Sequence, residues 1–210
     1  MKVLAVILLL MPFSLLGQQF PSEVWHEGKA VLVEGDTLVG WIKYDMDKDI
    51  VQHTYSTEGT ITTVTPRSLV FFEIFDKLAN QYRQFYVLPF HVQNNYKAPI
   101  IFELVYQGDE LTLLSREKVE YQVTNYPYAV SGTFNRLVLV FTHYFLWPDG
   151  HIEQLTGNRK DLLWKMKKKS TQMKKFMKSN RIKPERRSDL VKIVAYYNTL
   201  FEKSETRLTP

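Results

Sequence analysis

The spacing of apolar residues changes once along this chain, near residue 156, and this change constrains the fold more than any other feature. Across residues 28–155, β-branched and aromatic residues alternate with polar ones, and turn residues interrupt them at short intervals. Beyond Gly157 the apolar residues recur at helical spacing. The pattern predicts an α+β protein: an antiparallel, curved or sandwich-like β-sheet followed by two or three C-terminal helices.

Apolar runs that flank short turns predict four hairpins within the sheet. Their strands are residues 30–33 and 38–44, 50–55 and 60–64, 69–75 and 82–88, and 100–106 and 111–115. The second hairpin is expected to face solvent because its alternating residues are mostly Thr, Gln and His. Residues 137–147 are almost all apolar, so we expect them to form the central strand, which is either buried on both faces or a long strand with a bulge. This strand is expected to turn at residues 148–150 and return as far as Leu155.

In the helical region one face is apolar and the opposite face is basic. The apolar stripe consists of Leu162, Leu163, Met166, Met173, Phe176 and Met177. These residues belong either to one helix or to two helices broken near Ser170 and Thr171. Ser188 and Asp189 are typical of the start of a last helix, and both apolar faces are expected to pack on the sheet.

The first seventeen residues have the order of a secretory signal peptide. Lys2 supplies a positive start, residues 3–11 carry no charge, and the small Gly17 precedes two glutamines. The apolar run is shorter than the roughly 20 residues of a membrane-spanning helix, although an uncleaved anchor is the alternative. We predict cleavage after Gly17 and a periplasmic or secreted mature chain without a transmembrane span.

The chain has no cysteine, which excludes a lipidated cysteine at the cleavage site and any disulfide framework. The formal net charge of +5 conceals a division along the chain. Residues 18–155 contain 10 Lys or Arg against 17 Asp or Glu, whereas residues 156–210 contain 16 against 5. We therefore divide the chain into a signal peptide (1–17), an acidic antiparallel β domain (18–155) and a basic helical region (156–210) that packs on the β domain or extends from it.

The strongest candidate for a binding surface is the basic segment 165–187, which has eleven Lys or Arg and one acidic residue, Glu185. The residues predicted to form this surface are Trp164, Lys167, Lys168, Lys174, Lys175 and Lys178. Such a surface attracts anionic envelope material such as lipid headgroups, and an amphipathic Trp suits an interface. The alternative is a solvated helix face that complements the acidic β domain. The predicted compartment argues against nucleic acid as a partner.

The sequence contains no motif for nucleotide binding or nucleophilic catalysis. The five histidines have no metal-ligand spacing, although His143 and His151 could share a metal across their hairpin. Residues 45–49 alternate aspartates as a calcium loop does, but Ile50 and Ser56 occupy the positions that need Gly and Glu. No cofactor or metal is therefore indicated.

Two local motifs follow the predicted signal peptide, with a Lys-rich region between them. They are G-D-T-L-x-G-x-I-x-Y at residues 35–44 and D-L-x-x-I-x-x-Y-Y-N at residues 189–198. This layout resembles a group of exported proteins common in Bacteroidota. The resemblance implies a bacterial source and a location outside the cytoplasm, and it implies no activity, cofactor or site.

These features favour an exported, non-enzymatic binding or scaffolding protein of the bacterial envelope, whose partner is an anionic envelope component or another envelope protein. The alternative is a periplasmic hydrolase-like enzyme that uses carboxylates or histidines in a cleft of the sheet. Its strand-borne carboxylates would have to converge there, and they are Glu73, Glu103 and Glu120. A third hypothesis is a structural part of a larger assembly, favoured by the aromatic residues Tyr126, Tyr128 and Trp164.

Overall fold

The computed structural model describes residues 19–56, 58–93, 96–125 and 133–205. Within these residues the protein is an α+β fold, in which ten antiparallel strands form one curved open sheet and three helices follow it. This confirms the predicted fold class. The predicted signal peptide lies outside the described residues.

The elements follow the chain from strands to helices, with two short 3-10 turns at Pro21–Glu23 and Lys167–Lys169. The strands are β1 (His26–Leu32), β2 (Thr37–Asp45), β3 (Ile50–Thr54), β4 (Thr62–Val64), β5 (Leu69–Asp76), β6 (Gln81–Gln93), β7 (Tyr96–Tyr106), β8 (Thr112–Asn125), β9 (Thr133–Leu146) and β10 (Ile152–Gln154). The helices are α1 (Arg159–Lys165), α2 (Ser170–Ser179) and α3 (Arg187–Glu205).

Most neighbouring strands in the sheet are consecutive in sequence. The order is β10-β9-β8-β7-β6-β5-β1-β2-β3-β4, so only β1, which lies between β5 and β2, departs from a simple meander. The four predicted hairpins are present as β1–β2, β3–β4, β5–β6 and β7–β8. Sequence reasoning missed the long β8–β9 hairpin, whose register runs from Thr112 opposite Leu146 to Asn125 opposite Thr133.

The prediction that residues 137–147 form the central strand is wrong. Most of them belong to β9, which is the second strand from one edge, whereas β5 and β6 occupy the middle of the sheet. Residues 137–140 are only half-buried. An uncharged run alone does not distinguish a fully covered strand from one whose two faces are each partly covered.

The prediction that the second hairpin faces solvent is also wrong for β3. Val51, His53 and Thr54 are buried, although Thr62 and Thr63 on the edge strand β4 are exposed. The sheet curls here, so that Val51 joins the same apolar cluster as residues of β1, β2 and β5. Polar side chains on β3 are therefore covered by curvature, which local alternation does not report.

Two glycines allow this curvature. Gly28 on β1 lies opposite Gly40 on β2. A Cβ on Gly28 would lie 2.1 Å from the carbonyl oxygen of Glu73, and one on Gly40, whose φ is +152°, would lie 2.5 Å from that of Thr54. Only a residue without a side chain permits such close backbone approach.

The helices cover one face of the sheet at the β8–β10 end. Met173 and Met177 of α2 share a buried cluster with Leu113 and Phe145 of the sheet, and α3 contributes Ile193 together with its neighbours on the same face. The apolar stripe predicted for the basic region therefore does pack on the sheet. It belongs to two helices, because α1 ends at Lys165 and α2 begins at Ser170.

A buried amide fastens the last helix to the sheet. The side-chain oxygen of Asn198 accepts hydrogen bonds from the backbone N–H groups of Glu110 (2.8 Å) and Leu111 (3.1 Å). Its amide nitrogen donates to the carbonyl oxygens of Leu111 and Val194. All four bonding positions of the amide are used, so α3 is held in one register against the β7–β8 turn.

The sheet forks between β7 and β8. These strands pair only near Glu103 and Ser115, beyond which β7 continues with β6 and β8 continues with β9. The β2–β3 turn fills the fork: a carboxylate oxygen of Asp49 accepts from the N–H of Ile101 at 3.0 Å. Arg116 donates to that carboxylate at 2.8 Å and to the carbonyl oxygen of Ile101 at 2.7 Å. The Asp49–Arg116 ion pair and its bonds to Ile101 thus take the place of the backbone hydrogen bonds that β7 and β8 do not make with each other here.

We expect Asp49→Ala to lower the free energy of unfolding by about 2 kcal/mol, because it removes the carboxylate bound by Arg116 and the Ile101 N–H and places alanine at a φ of +50°. Urea denaturation monitored by circular dichroism measures this loss. Asp47→Ala is the matched control, since Asp47 is an exposed aspartate of the same turn; it should change stability by less than about 0.5 kcal/mol. Equal losses in the two variants would contradict the assigned role of Asp49.

Candidate functional site

A buried arginine lies within the sheet, among carboxylates from three strands. The side chain of Arg83 on β6 is only 5 % exposed. Its guanidinium donates to Glu103 at 2.9 Å, to Asp76 at 3.1 Å and to Glu117 at 2.7 Å, which lie on three different strands. It also donates to the hydroxyl of Tyr44 at 2.8 Å, and that hydroxyl donates to Glu117 at 2.6 Å.

A second arginine reaches this cluster from the helical region. Arg187, the first residue of α3, donates to both oxygens of Glu103 at 2.8 and 2.6 Å. Its guanidinium also lies over the ring of Phe141, 5.5 Å from the centroid. We call the group formed by these two arginines and their polar partners the arginine cluster; its members are Tyr44, Asp76, Arg83, Glu103, Glu117 and Arg187.

The arginines of the cluster favour the ionised form of Glu103. Burial alone would raise the pKa of Glu103, but hydrogen bonds from Arg187 and Arg83 outweigh it and lower that pKa. Burial raises the pKa of the Tyr44 hydroxyl well above its ordinary value, which keeps it neutral. A general acid needs a proton to give, and a general base needs a free lone pair near solvent. The geometry of Glu103 offers neither, so we assign the cluster a structural role.

The carboxylates proposed for catalysis do not converge. Glu103 belongs to the arginine cluster, whereas Glu73 lies near the half-exposed Lys29 and accepts from Gln84. Glu120 pairs with Lys118 at the surface. Sequence reasoning missed the carboxylates that do meet Glu103, which are Asp76 and Glu117. The alternation of side chains along β6 was the available signal. Arg83 and Phe85 are two residues apart, so they lie on the same face of the sheet.

The histidines also lie apart. In the β9–β10 hairpin His143 lies opposite Leu155, and His151 lies opposite Trp147. His26 and His53 are buried, and each has a ring nitrogen within hydrogen-bond distance of a backbone carbonyl oxygen. In the described part of the chain, no group of three or more His, Asp or Glu side chains is arranged to hold a metal ion.

The predicted basic residues all lie at the surface of the helical region. Lys167 and Lys168 lie in the 3-10 turn after α1, and Lys174, Lys175 and Lys178 lie on α2, opposite the buried methionines. All five are exposed, and none forms an ion pair with any described residue. Together with Trp164 they form what we call the basic helical surface.

Trp164 is the aromatic member of the basic helical surface. It is 66 % exposed, although burial of its large ring would be favourable. With Lys165, Lys167 and Lys168 it lines a shallow cavity of about 250 Å³ that is also lined by Trp147, Asp149 and Glu153. Of the other aromatic residues proposed to meet partners, Tyr126 and Tyr128 lie outside the described residues.

Comparison with known protein families, curated proteins and solved structures finds no match for this chain. Among the described residues, no helix is both long enough and apolar enough to cross a membrane.

We expect Glu103→Gln to lower the free energy of unfolding by about 3 kcal/mol, because it leaves the buried Arg83 and the partly buried Arg187 facing an uncharged side chain. Glu73→Gln makes the same change beside the half-exposed Lys29 and should cost less than about 1 kcal/mol. Chemical denaturation of both variants measures the difference. If Glu103→Gln were as mild as Glu73→Gln, the arginine cluster would not be the main electrostatic support of the fold.

The stability of the protein should fall with acid partly because of His143. Burial and the nearby charge of Arg187 lower the pKa of His143 to about 4 from an ordinary value of 6.5. Between these values the unfolded chain binds a proton that the folded chain does not, so this contribution is fully present above pH 6.5 and is lost as the pH falls toward 4. His143→Gln should flatten the stability profile in that window, as measured by urea midpoints. An unchanged slope would contradict the neutral state assigned to His143.

Proposed function

We propose that the protein is an exported, non-enzymatic binding protein of the bacterial envelope, and that the basic helical surface contacts anionic material bearing phosphate groups. The observation that carries this proposal is that the five lysines of the basic helical surface are exposed and that none of them has an acidic partner among the described residues. A phosphate-rich surface supplies the missing negative charge.

The charge distribution supports contact through the helical region. Residues 156–210 carry 16 basic against 5 acidic residues, while the β domain carries an excess of acid. An anionic surface would therefore attract one end of the molecule and repel the other, which orients the protein. Arg187 is the basic residue of this region that reaches the buried carboxylate Glu103, at 2.6 Å. The exposed lysines remain available for a partner.

Trp164 adds a second kind of contact. A largely exposed indole beside several lysines matches the composition of protein surfaces that lie at a membrane interface, where the ring enters the headgroup region and the ammonium groups contact phosphates. The arginine cluster supports a non-enzymatic role, because the carboxylates that meet in the sheet are bound to arginine.

Vesicle flotation tests this function. The mature chain should float with phosphatidylcholine vesicles that contain phosphatidylglycerol, should not float with phosphatidylcholine alone, and should be released by added salt. Removing two lysines in Lys174→Gln with Lys178→Gln should weaken binding by about 2 kcal/mol, roughly 30-fold, at about 1 kcal/mol per lysine. Immobilised lipopolysaccharide in a parallel arm distinguishes the two envelope sources of phosphate.

The matched control is Arg67→Gln with Lys97→Gln, which lowers the net charge equally at two exposed positions of the β domain. It should leave binding nearly unchanged. Equal weakening of the two double variants would show that net charge alone drives association. Absence of binding to either phosphate source would remove the proposed function.

A further inference from the structure

Among the described residues, one side of β9 has no neighbouring strand over most of its length. β10 pairs only with residues 144–146 of β9, and one further bond joins the Leu155 N–H to the His143 carbonyl oxygen. Beyond that bond the chain turns away toward α1. Residues 135–142 thus have β8 on one side, and no other described strand pairs with them on the opposite side.

The hydrogen-bonding groups on this open side can be identified from the register. In an antiparallel strand, alternate residues direct both their N–H and C=O groups to the same side. Trp147 and His143 bond toward β10, so Phe141, Leu139 and Leu137 direct their backbone groups the same way. Val138 and Val140 bond toward β8. None of the outward groups has a described hydrogen-bond partner.

This edge lacks the devices that normally prevent strand addition. Natural edge strands carry charges, prolines or bulges that block pairing with another chain. Residues 137–143 contain no charge and no proline, and their register with β8 is unbroken. An unprotected edge of this length is an aggregation hazard unless it has a partner.

The open edge lies in a groove. A cavity of about 650 Å³ runs along residues 138–143, and its other walls come from residues 154–162 and from the start of α3. The imidazole Nδ1 of His143, at the end of the groove, is buried and has no hydrogen-bond partner. Every other buried side-chain nitrogen or oxygen of the described residues has one. The groove therefore has unsatisfied polar groups on backbone and side chain alike.

The charges in the groove argue for an uncharged occupant. Arg187 is bound to Glu103, and Asp161 accepts from Thr156 and lies 3.6 Å from Lys165. No unpaired cation among the described lining residues is therefore available to bind an acidic segment. The exposed carboxylate of Glu185 would repel an acidic segment, and solvent screens its attraction for a basic one.

We propose that the open edge of β9 binds an extended, uncharged segment of another polypeptide. This segment pairs with β9 beyond the end of β10 and adds a strand to the sheet. The eight residues 135–142 of β9 provide an open edge roughly 27 Å long. A free segment of about seven residues fits along this edge. The 14-residue β9 of a second copy is longer than this stretch.

Nuclear magnetic resonance with a defined peptide tests this site. The probe is a capped peptide of alternating valine and threonine, about five residues long. On titration, the amide signals of Leu137, Leu139 and Phe141 should shift and their exchange with solvent should slow. Those of Val138 and Val140 should keep their protection, because their N–H groups already bond to β8; they form an internal control.

Two changes separate backbone pairing from non-specific apolar contact. The same peptide N-methylated at the residues facing β9 keeps its side chains and should bind at least tenfold more weakly. Leu139→Pro removes one outward N–H and should weaken binding of the unmodified peptide to a similar extent. Because the peptide comparison uses the unaltered protein, it stays decisive even if the proline variant fails to fold.

Three results would overturn the proposal. The first is equal affinity for the methylated and unmethylated peptides. The second is strong protection of the Leu137, Leu139 and Phe141 amides in dilute protein without peptide, which would mean that the chain covers its own edge. The third is protection that appears only as the protein concentration rises, which would assign the edge to a second copy.

Discussion

The guanidinium of Arg83 is the interaction on which the rest of the structure depends. It joins carboxylates from β5, β7 and β8 and a hydroxyl from β2, so one side chain fixes how far the sheet curls. Glu103 extends the same network to α3 through Arg187. A buried group with so many obligatory partners is costly to misplace, and it therefore specifies one arrangement of strands and helices.

The charges of the molecule serve two purposes in two places. Inside the sheet Arg83 is surrounded by carboxylates, whereas the lysines of the basic helical surface face solvent without described acidic partners. This division follows from side-chain chemistry: the planar, weakly hydrated guanidinium tolerates burial with bidentate partners, and the strongly hydrated ammonium does not. The net positive charge of the chain is thus concentrated where it can meet another surface.

Local rules predicted much of the fold. Turn residues located four hairpins, and helical period identified the buried methionine face of α2. Burial of β3 and the off-centre position of β9 were missed, because both depend on curvature and strand order, which act over long distances in sequence. The basic helical surface could be proposed from composition. The arginine cluster could not be proposed in this way, because the pairing of Arg83 with Glu117 depends on β6 and β8 being separated by a single strand, β7.

The ties that hold this fold together span long stretches of chain. Asp49 meets Arg116 across 67 residues, Glu103 meets Arg187 across 84, and Leu111 meets Asn198 across 87. A polypeptide made from its N-terminus cannot form the Asp49–Arg116 ion pair until β8 has been made. The backbone groups of the β7–β8 turn likewise cannot bond to Asn198 until nearly the whole of α3 has followed. Folding of such a topology is slow and late, because the distant partners must first be present in the chain.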